Sequence, residues 1–600
     1  MLPRVIVSPV TMSDEAVDRR ELIKLAGGTV TAAAFAGCAG DDDEETEGDG
    51  ATPPGESDLV EFDGFSVPSD NVAPAEELTD DQAIHELSLI VNPPKTTPSD
   101  YNAMKEVAKE VAKLGIDISV ETMDWPSQVE EVWYGEDWDM TFWEMVGRPS
   151  RLDPDEFLVQ MFRSDFQEGY NYYFWTDDDY DELITEQRRT NDREARQEMV
   201  YEAQETINQR GPSTWLMYPD NLIAWNSDKW EGVVEIRGMG SANMLSFANM
   251  EPTTDDDTLV VSIDNEIEYI NPFQQSGEGD LIQNRMLWDR LVWPDGNANP
   301  SPRFARELNY VDDTTLEVPL RRGERFHDGT EILAEDVKFS FDVHRNYQTY
   351  YTGALEPVES IEITDDYRVE FRLAQVSAPF PLTGLGRIGI APKRHWEEII
   401  ENEMEGENPM EYQEAKPIGS GPLQFDSWDQ GNQTRLVRYD DHFDPVAYSE
   451  RVTRLIPEVQ TTLTQLETGT IDMLGLYSGD NGVLEQRVQE NDDLSMTATT
   501  SVGFKQISYN NKKAPMHIDA FRRAMHHRVP KDLIVNEIYE GYGDKAPNTP
   551  VSTALEFWHN DDLEERAFDL QSAANVLADA GFLWDDGEGK LHMPADSTTA

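Results

Sequence analysis

Strand-like and helix-like segments alternate along most of this chain. Thr258–Ile263 (TLVVSI) is β-branched and apolar, Leu281–Leu291 has helical spacing, and Thr315–Leu320 is strand-like again. Ala334–His344 opens a helix, Tyr367–Leu373 reads as a strand, and Asp519–Arg528 and Leu533–Tyr539 read as amphipathic helices. Residues 86–250 have the same texture. Leu87–Val91 and Ile116–Glu121 are strand-like, Ala103–Leu114 is helical up to Gly115, and Tyr180–Arg210 holds one or two helices ending at Gly211-Pro212. Glu251–Asp257 is an acidic linker between the blocks. The expected class is α/β, with mixed sheets flanked by helices and more than one lobe.

Charge decides which partners are disfavoured. With 118 Asp and Glu against 48 Lys and Arg, the formal net charge is −70. Such a chain repels a phosphate backbone, which strongly disfavours nucleic acid as a partner. The acid is spread evenly, and aromatics are 10% of residues. That combination reads as a folded protein adapted to high salt, where a Debye length of about 3 Å screens self-repulsion. An acidic surface for cations is the alternative.

The first 38 residues read as an address. Read from Met12, a polar start leads to Arg19-Arg20, then an apolar stretch from Leu25 to Phe35, then Ala36-Gly37-Cys38. The order resembles a twin-arginine export signal joined to a lipobox, with the single cysteine as lipid anchor. The apolar run is shorter than the roughly 20 residues that span a bilayer. Residues 39–85 begin with an Asp/Glu/Gly/Pro-rich run and are expected to form a disordered tether.

Specific motifs gather in the second block. Leu320-Arg321-Arg322-Gly323, Phe326-His327-Asp328-Gly329-Thr330 and Ala334-Glu335-Asp336-Val337 are followed by Pro417-Ile418-Gly419-Ser420-Gly421-Pro422. Leu466–Asp472, Ile507–Lys512 and Phe521–Met525 come next. Together these resemble family 5 of the solute-binding proteins, whose members serve ABC transporters for dipeptides, oligopeptides and nickel. The 86–250 block is similar to that family's C-terminal portion, through Lys113–Ile116, Asp137–Met140, Asp153-Pro154 with Phe157-Leu158, and Asp181–Ile184. Here it comes first. The reading is a circular permutation, with 258–600 as the lobe resembling the N-terminal portion; a truncated tandem is the rival.

The resemblance implies a periplasmic-binding-protein-like (type II) fold, two lobes hinged around an enclosed solute. It implies a monomer on the outer face of the membrane, handing a peptide-like solute to an ABC permease, with no cofactor, no metal and no catalysis. A receptor module, or transport of an oligosaccharide or nickel chelate, remains the alternative. The candidate ligand segment follows the Asp137–Thr141 strand: Trp143, Met145, Gly147, Arg148 and Arg151. Asn265, Glu266 and Phe504 are candidates from the other lobe. Peptide-binding relatives place an Asp in this segment for the ligand's ammonium. None stands between Met140 and Leu152, and Glu144 has a different offset. Arg148 and Arg151 suit a carboxylate instead, although an arginine in so acidic a chain also suits a surface ion pair. His327 reads as a turn residue, because no second His stands at ligand spacing. No H-E-x-x-H, phosphate loop or nucleophilic Cys supports an enzyme.

Overall fold

A computed structural model describes residues 59–167, 171–274, 278–347, 349, 351–404, 407–475, 477 and 479–597. Arg19, Arg20 and Cys38 lie outside the described residues, as do residues 39–58 of the expected tether.

Twelve strands form the main sheet: β1 (Leu87–Val91), β2 (Ile118–Thr122), β3 (Met140–Met145), β4 (Ser213–Asn226), β5 (Thr258–Ile263), β6 (Leu423–Asp429), β7 (Gln433–Arg438), β8 (Glu450–Leu455), β9 (Met473–Leu474), β10 (Leu494–Thr500), β11 (Phe504–Tyr509) and β12 (Gly543–Lys545). Their order is β6-β7-β8-β5-β9-β4-β11-β3-β1-β2, and β10 and β12 also pair with β4. The two sequence blocks therefore share one sheet. β11, from the second block, lies between β3 and β4 of the first and is antiparallel to both. All six of its residues are buried. A strand covered on both faces has no solvated side, so it lacks polar alternation. Its Lys505 and Gln506 are satisfied internally: Lys505 Nζ meets Glu144 at 2.8 Å and Asp100 at 3.1 Å, and Gln506 Nε2 donates to Tyr172 and Tyr173.

A second sheet, four-stranded and antiparallel, is built from Asn309–Asp312, Thr315–Pro319, Val358–Asp365 and Arg368–Leu373. The Ala334–Asn346 helix packs on it, with Phe341 and Phe371 rings 5.0 Å apart. The class is α/β with mixed sheets flanked by helices, as expected.

Most segments hold to their expected places, and the departures have local causes. The helix expected from Ala103 starts at Pro98, because proline fits the first turn, where its missing N–H costs nothing. The Tyr180–Arg210 stretch divides into Asp178–Arg188 and Arg193–Arg210, because the Asp192 side chain accepts from Ala195 N and caps a new start. Leu533–Tyr539 is no amphipathic α-helix but one π turn, Ile534–Ile538. Residues 59–85 are not a tether. Leu59–Phe62 and Phe65–Pro68 form a hairpin turned at Asp63-Gly64, Val67 is fully buried, and Phe65 packs on Trp584 at 5.7 Å. The apolar alternation in LVEFDGFSVP outweighs the acidic composition around it.

The far end of the described chain returns to the start of the first block. Met593 N donates to Gln82 O at 2.8 Å, His592 bridges Ala83, and Leu591 N donates to Gly115 O. Gly115 is obligatory here: its φ is +83°, and a Cβ would stand 2.1 Å from Gly589 O.

Candidate functional site

β3 ends at Met145, and the chain runs through Val146, Gly147 and Arg148 into a short 3₁₀ turn, Pro149–Leu152. This segment packs backbone to backbone on the turn before β11. A Cβ on Gly147 would lie 2.8 Å from Ser501 Oγ, and one on Gly503 would lie 2.1 Å from Met145 O. A side chain at Gly503 would push the Met145–Gly147 backbone away, whereas one at Gly147 would first displace the Ser501 hydroxyl.

The turn carries an ion-pair network that joins the blocks. Arg151 is buried and reaches Glu156 Oε1 through Nε at 3.1 Å, while another of its nitrogens donates to Val146 O. From the second block, Arg387 donates to Glu156 Oε2 at 2.9 Å and to Ser150 Oγ at 2.9 Å. Burial alone would raise the Glu156 pKa, but Arg387 and Arg151 outweigh it and bring the carboxyl down to about 2. The neighbouring acids are also engaged: Asp153 with Arg196 at 2.5 Å, Asp155 with Arg188 at 3.1 Å, and Asp289 with His442 at 2.7 Å.

Arg285 is different. It sits on the last turn of the Glu278–Leu287 helix and is 6% exposed, and its Nε and one terminal nitrogen have no hydrogen-bond partner among the described residues. Burial pushes its pKa well below the ordinary arginine value, and Arg290 pushes it further; Tyr351 acts against this, and Arg387 and Arg148 add smaller pushes in the same direction as burial. Arg290 donates to Trp288 O and Arg387 O but leaves one terminal nitrogen unpartnered. Burial brings its pKa to about 10. Arg148 Nε is likewise buried without a partner. The bland account of Arg285 is a cation at a helix C-terminus, where the dipole favours it by about 0.3–1 kcal/mol. That is small against the several kcal/mol it costs to bury an unpaired ion. An anion from outside would relieve this cost.

Two recurring motifs meet next to this helix. His327 Nδ1 accepts from Gly419 N at 3.1 Å and Nε2 donates to Gly421 O at 2.9 Å; burial holds its pKa at about 4. Ser420 N and Gly421 N both donate to Leu287 O, the end of the helix that carries Arg285. His327 is thus the turn residue expected. Ser420 Oγ donates to Ile390 O and accepts from Asp289 N, so it is engaged within the turn.

The sequence profile of bacterial extracellular solute-binding proteins, family 5 Middle, matches residues 299–600, half of the chain. The chain belongs to this family. It is 27% identical over 339 residues to the oligopeptide-binding protein AppA of Bacillus subtilis (strain 168), covering 56% of this chain and 61% of that protein. It is 26% identical over 350 residues to the dipeptide-binding protein of Escherichia coli (strain K12), covering 54% and 63%. Similar solved structures include AppA in complex with a nonapeptide, at TM-score 0.46 and 23% identity, covering 56% of this chain and 66% of that one. NikZ from Campylobacter jejuni in complex with Ni(L-His) has TM-score 0.46 and 23% identity, covering 57% and 66%. The chain spans about three fifths of the length of the curated relatives it matches.

Within this family-5 chain the eight expected ligand residues fall into three groups. Gly147, Arg148 and Arg151 stand at the arginine cluster. Trp143, Met145 and Phe504 are core residues behind it. The Trp143 indole N–H is spent on Tyr172 Oη at 2.9 Å, and its ring is covered by Trp125, Trp133 and Tyr172. Phe504 is fully buried, packs on Phe157 at 4.8 Å, and sits opposite Met145 in register. Asn265 and Glu266 are exposed beyond β5; Asn265 bonds Asp264, and Glu266 borders a shallow groove with Ile267 and Trp428. Glu144, considered for a ligand ammonium, is engaged by Lys505. Sequence reasoning missed Arg285, Arg290, Arg387 and Glu156. The available signal was a charge inside an apolar run, as in LTGLGRIGIAP and LIQNRMLW.

Proposed function

We propose that this protein is the extracytoplasmic receptor of an ABC importer, capturing a peptide-like solute through a carboxylate and passing it to the permease. It binds and releases without catalysis. Arg285 carries the reading: a buried guanidinium with unpartnered nitrogens, beside Arg148 and Arg290, where the two blocks meet. Family membership supplies the class of function, capture of a solute outside the cytoplasm.

Finer features belong to the same proposal. A lipid on Cys38, added after export by the Arg19-Arg20 signal, holds a monomer at the outer face of the membrane. Among the described residues no helix is long and apolar enough to cross a membrane, so attachment in this reading rests on the anchor. The surface is adapted to high salt, in keeping with the −70 charge. The block order is a circular permutation of one two-lobed trap. The insertion of β11 between β3 and β4, and the contact of residues 591–593 with Gln82-Ala83, support one domain set over a truncated tandem.

The test is mass spectrometry of small molecules released from protein purified from its native membrane. A carboxylate-bearing solute, bound by wild-type protein and lost from Arg148→Ala, supports the proposal. Recovery only of uncharged sugars, or equal recovery from the variant, overturns it.

A further inference from the structure

Resting on that reading, we infer that the solute carries two anionic groups and no ammonium group to be paired. The argument is a count of charges that have partners. Glu156 is the carboxylate at the meeting of the blocks, and both of its oxygens are taken, one by Arg151 and one by Arg387. Asp153, Asp155 and Asp289 are held by Arg196, Arg188 and His442. Glu144 shares Lys505 with Asp100 and is not counted with them. Among Glu156, Asp153, Asp155 and Asp289 no carboxylate is left for a ligand's ammonium.

The cations are in surplus. Among the described residues, Arg285 has two nitrogens without a hydrogen-bond partner, Arg148 one and Arg290 one. They come from separate elements: Arg285 from the helix end, Arg290 from the segment after it, and Arg148 from the turn after β3. A single carboxylate has two oxygens and pairs in a fork with one guanidinium. One such group on Arg285 would leave Arg148 with its buried Nε unsatisfied, and a second anionic group meets it. The chemical class is therefore a dianion, either a dicarboxylate or a phosphate-bearing acid. A zwitterionic dipeptide would bring one useful charge and one that finds only arginines.

The experiment is a thermal unfolding series on the full-length protein, dialysed free of ligand, with molar KCl holding ionic strength constant. The probes, each at millimolar concentration, are succinate, malate, phosphoglycolate, propionate and the dipeptide Ala-Ala. At least one of the three acids with two anionic groups is expected to raise the midpoint by a few degrees, as saturating ligand does, with propionate and Ala-Ala giving less. Succinate or malate acting alone assigns a dicarboxylate; phosphoglycolate acting alone assigns a phosphate-bearing acid. Arg285→Met keeps the apolar stem and removes the buried charge. It is expected to leave the ligand-free midpoint unchanged or higher and to abolish the response to the dianion.

Four results overturn the inference: no dianion moves the midpoint; Ala-Ala or propionate matches the best dianion; Arg285→Met keeps the response; or Arg285→Met lowers the ligand-free midpoint, which would mean the guanidinium is paired within the protein. If Ala-Ala alone stabilises, solute capture stands and the dianionic class falls. If no probe binds and nothing co-purifies, both fall.

Discussion

Glu156 and Arg387 meet at 2.9 Å across 231 residues of sequence. The carboxylate comes from Glu156–Gln160, the turn that follows Pro149–Leu152, and the guanidinium from the second block, so this pair fastens one block to the other where the candidate site stands. Glu156 is depressed to about 2 from an ordinary value of 4.5. A depressed carboxyl stabilises the fold above its unfolded pKa, and that stability is lost as pH falls through the folded value. The shift corresponds to about 3 kcal/mol. Unfolding midpoints should therefore fall between roughly pH 4.5 and 2 more steeply in wild type than in Glu156→Gln. At pH 7 the variant, which leaves Arg151 and Arg387 without their acid, should be less stable by about 3–5 kcal/mol. Equal acid profiles for the two proteins would refute the assignment.

Trp143 is predicted to matter for stability more than for affinity. Its indole N–H is bonded to Tyr172 and its ring is enclosed by three aromatic neighbours. Trp143→Ala should cost about 3–5 kcal/mol of unfolding free energy through the cavity it leaves. Solute affinity, measured on the protein that remains folded, should change by less than about tenfold. Arg148→Ala should reverse the pattern: it removes a half-buried, incompletely partnered cation, so stability should hold while affinity falls by roughly tenfold or more. Denaturant titration and calorimetry of the two variants separate these outcomes.

If the surface is adapted to high salt, as proposed, a formal charge of −70 should make folding depend on salt. Exposed ion pairs such as Lys109–Glu106 do little to offset the surplus of acids, because solvent screens them. Unscreened repulsion opposes the compact state, and raising KCl from about 0.01 to 1 M shortens the Debye length from about 30 to 3 Å. Urea midpoints should climb steeply over that range. A flat profile would remove the high-salt reading.

The anchor has a direct test. If Cys38 carries the lipid, Cys38→Ser should move the protein from the membrane fraction to the medium with its fold unchanged. Full retention at the membrane would assign attachment to some other segment.

Local structure was legible where local chemistry determines it. β1 and β5 start and stop at the residues read from their apolar, β-branched runs, and Gly211 ends its helix at φ 61°. The division at Asp192 was missed because a cap inside a polar stretch leaves no break in periodicity. The 59–68 hairpin was missed because the acidic run before it dominated the composition. In the site, the arginine-bearing turn after β3 was readable as a strand end. Arg285 and Arg387 were not, because an arginine in an acidic chain reads as a surface ion pair, and their burial depends on pairings hundreds of residues apart. Trp143 looked equally suited to cleft or core; only the placement of Tyr172 and Trp133 assigns it to the core.

The blocks should be unable to fold separately. β11 supplies six buried residues and pairs on both sides with strands of the first block. Without it, β3 and β4 would each expose an unpaired edge, and the aromatic core around Trp215 and Phe504 would open to water. The second block alone would lose both partners of β11 and the strand that β9, β10 and β12 share. Residues 59–250 and 258–600, expressed as separate chains in molar salt, should each remain unfolded or aggregate. Co-expressed, they should assemble one to one, because the Glu251–Asp257 segment contributes a two-residue ladder, Trp230–Glu231 with Glu251–Pro252, and a few hydrogen bonds at Thr253 and Asp257, against the whole of the shared sheet. The complex should unfold in a single transition and bind solute as the intact chain does. Circular dichroism, size-exclusion chromatography and calorimetry of the three preparations decide the matter. Cooperative unfolding of either fragment by itself would show two independent domains and would return the truncated tandem as the explanation of the block order.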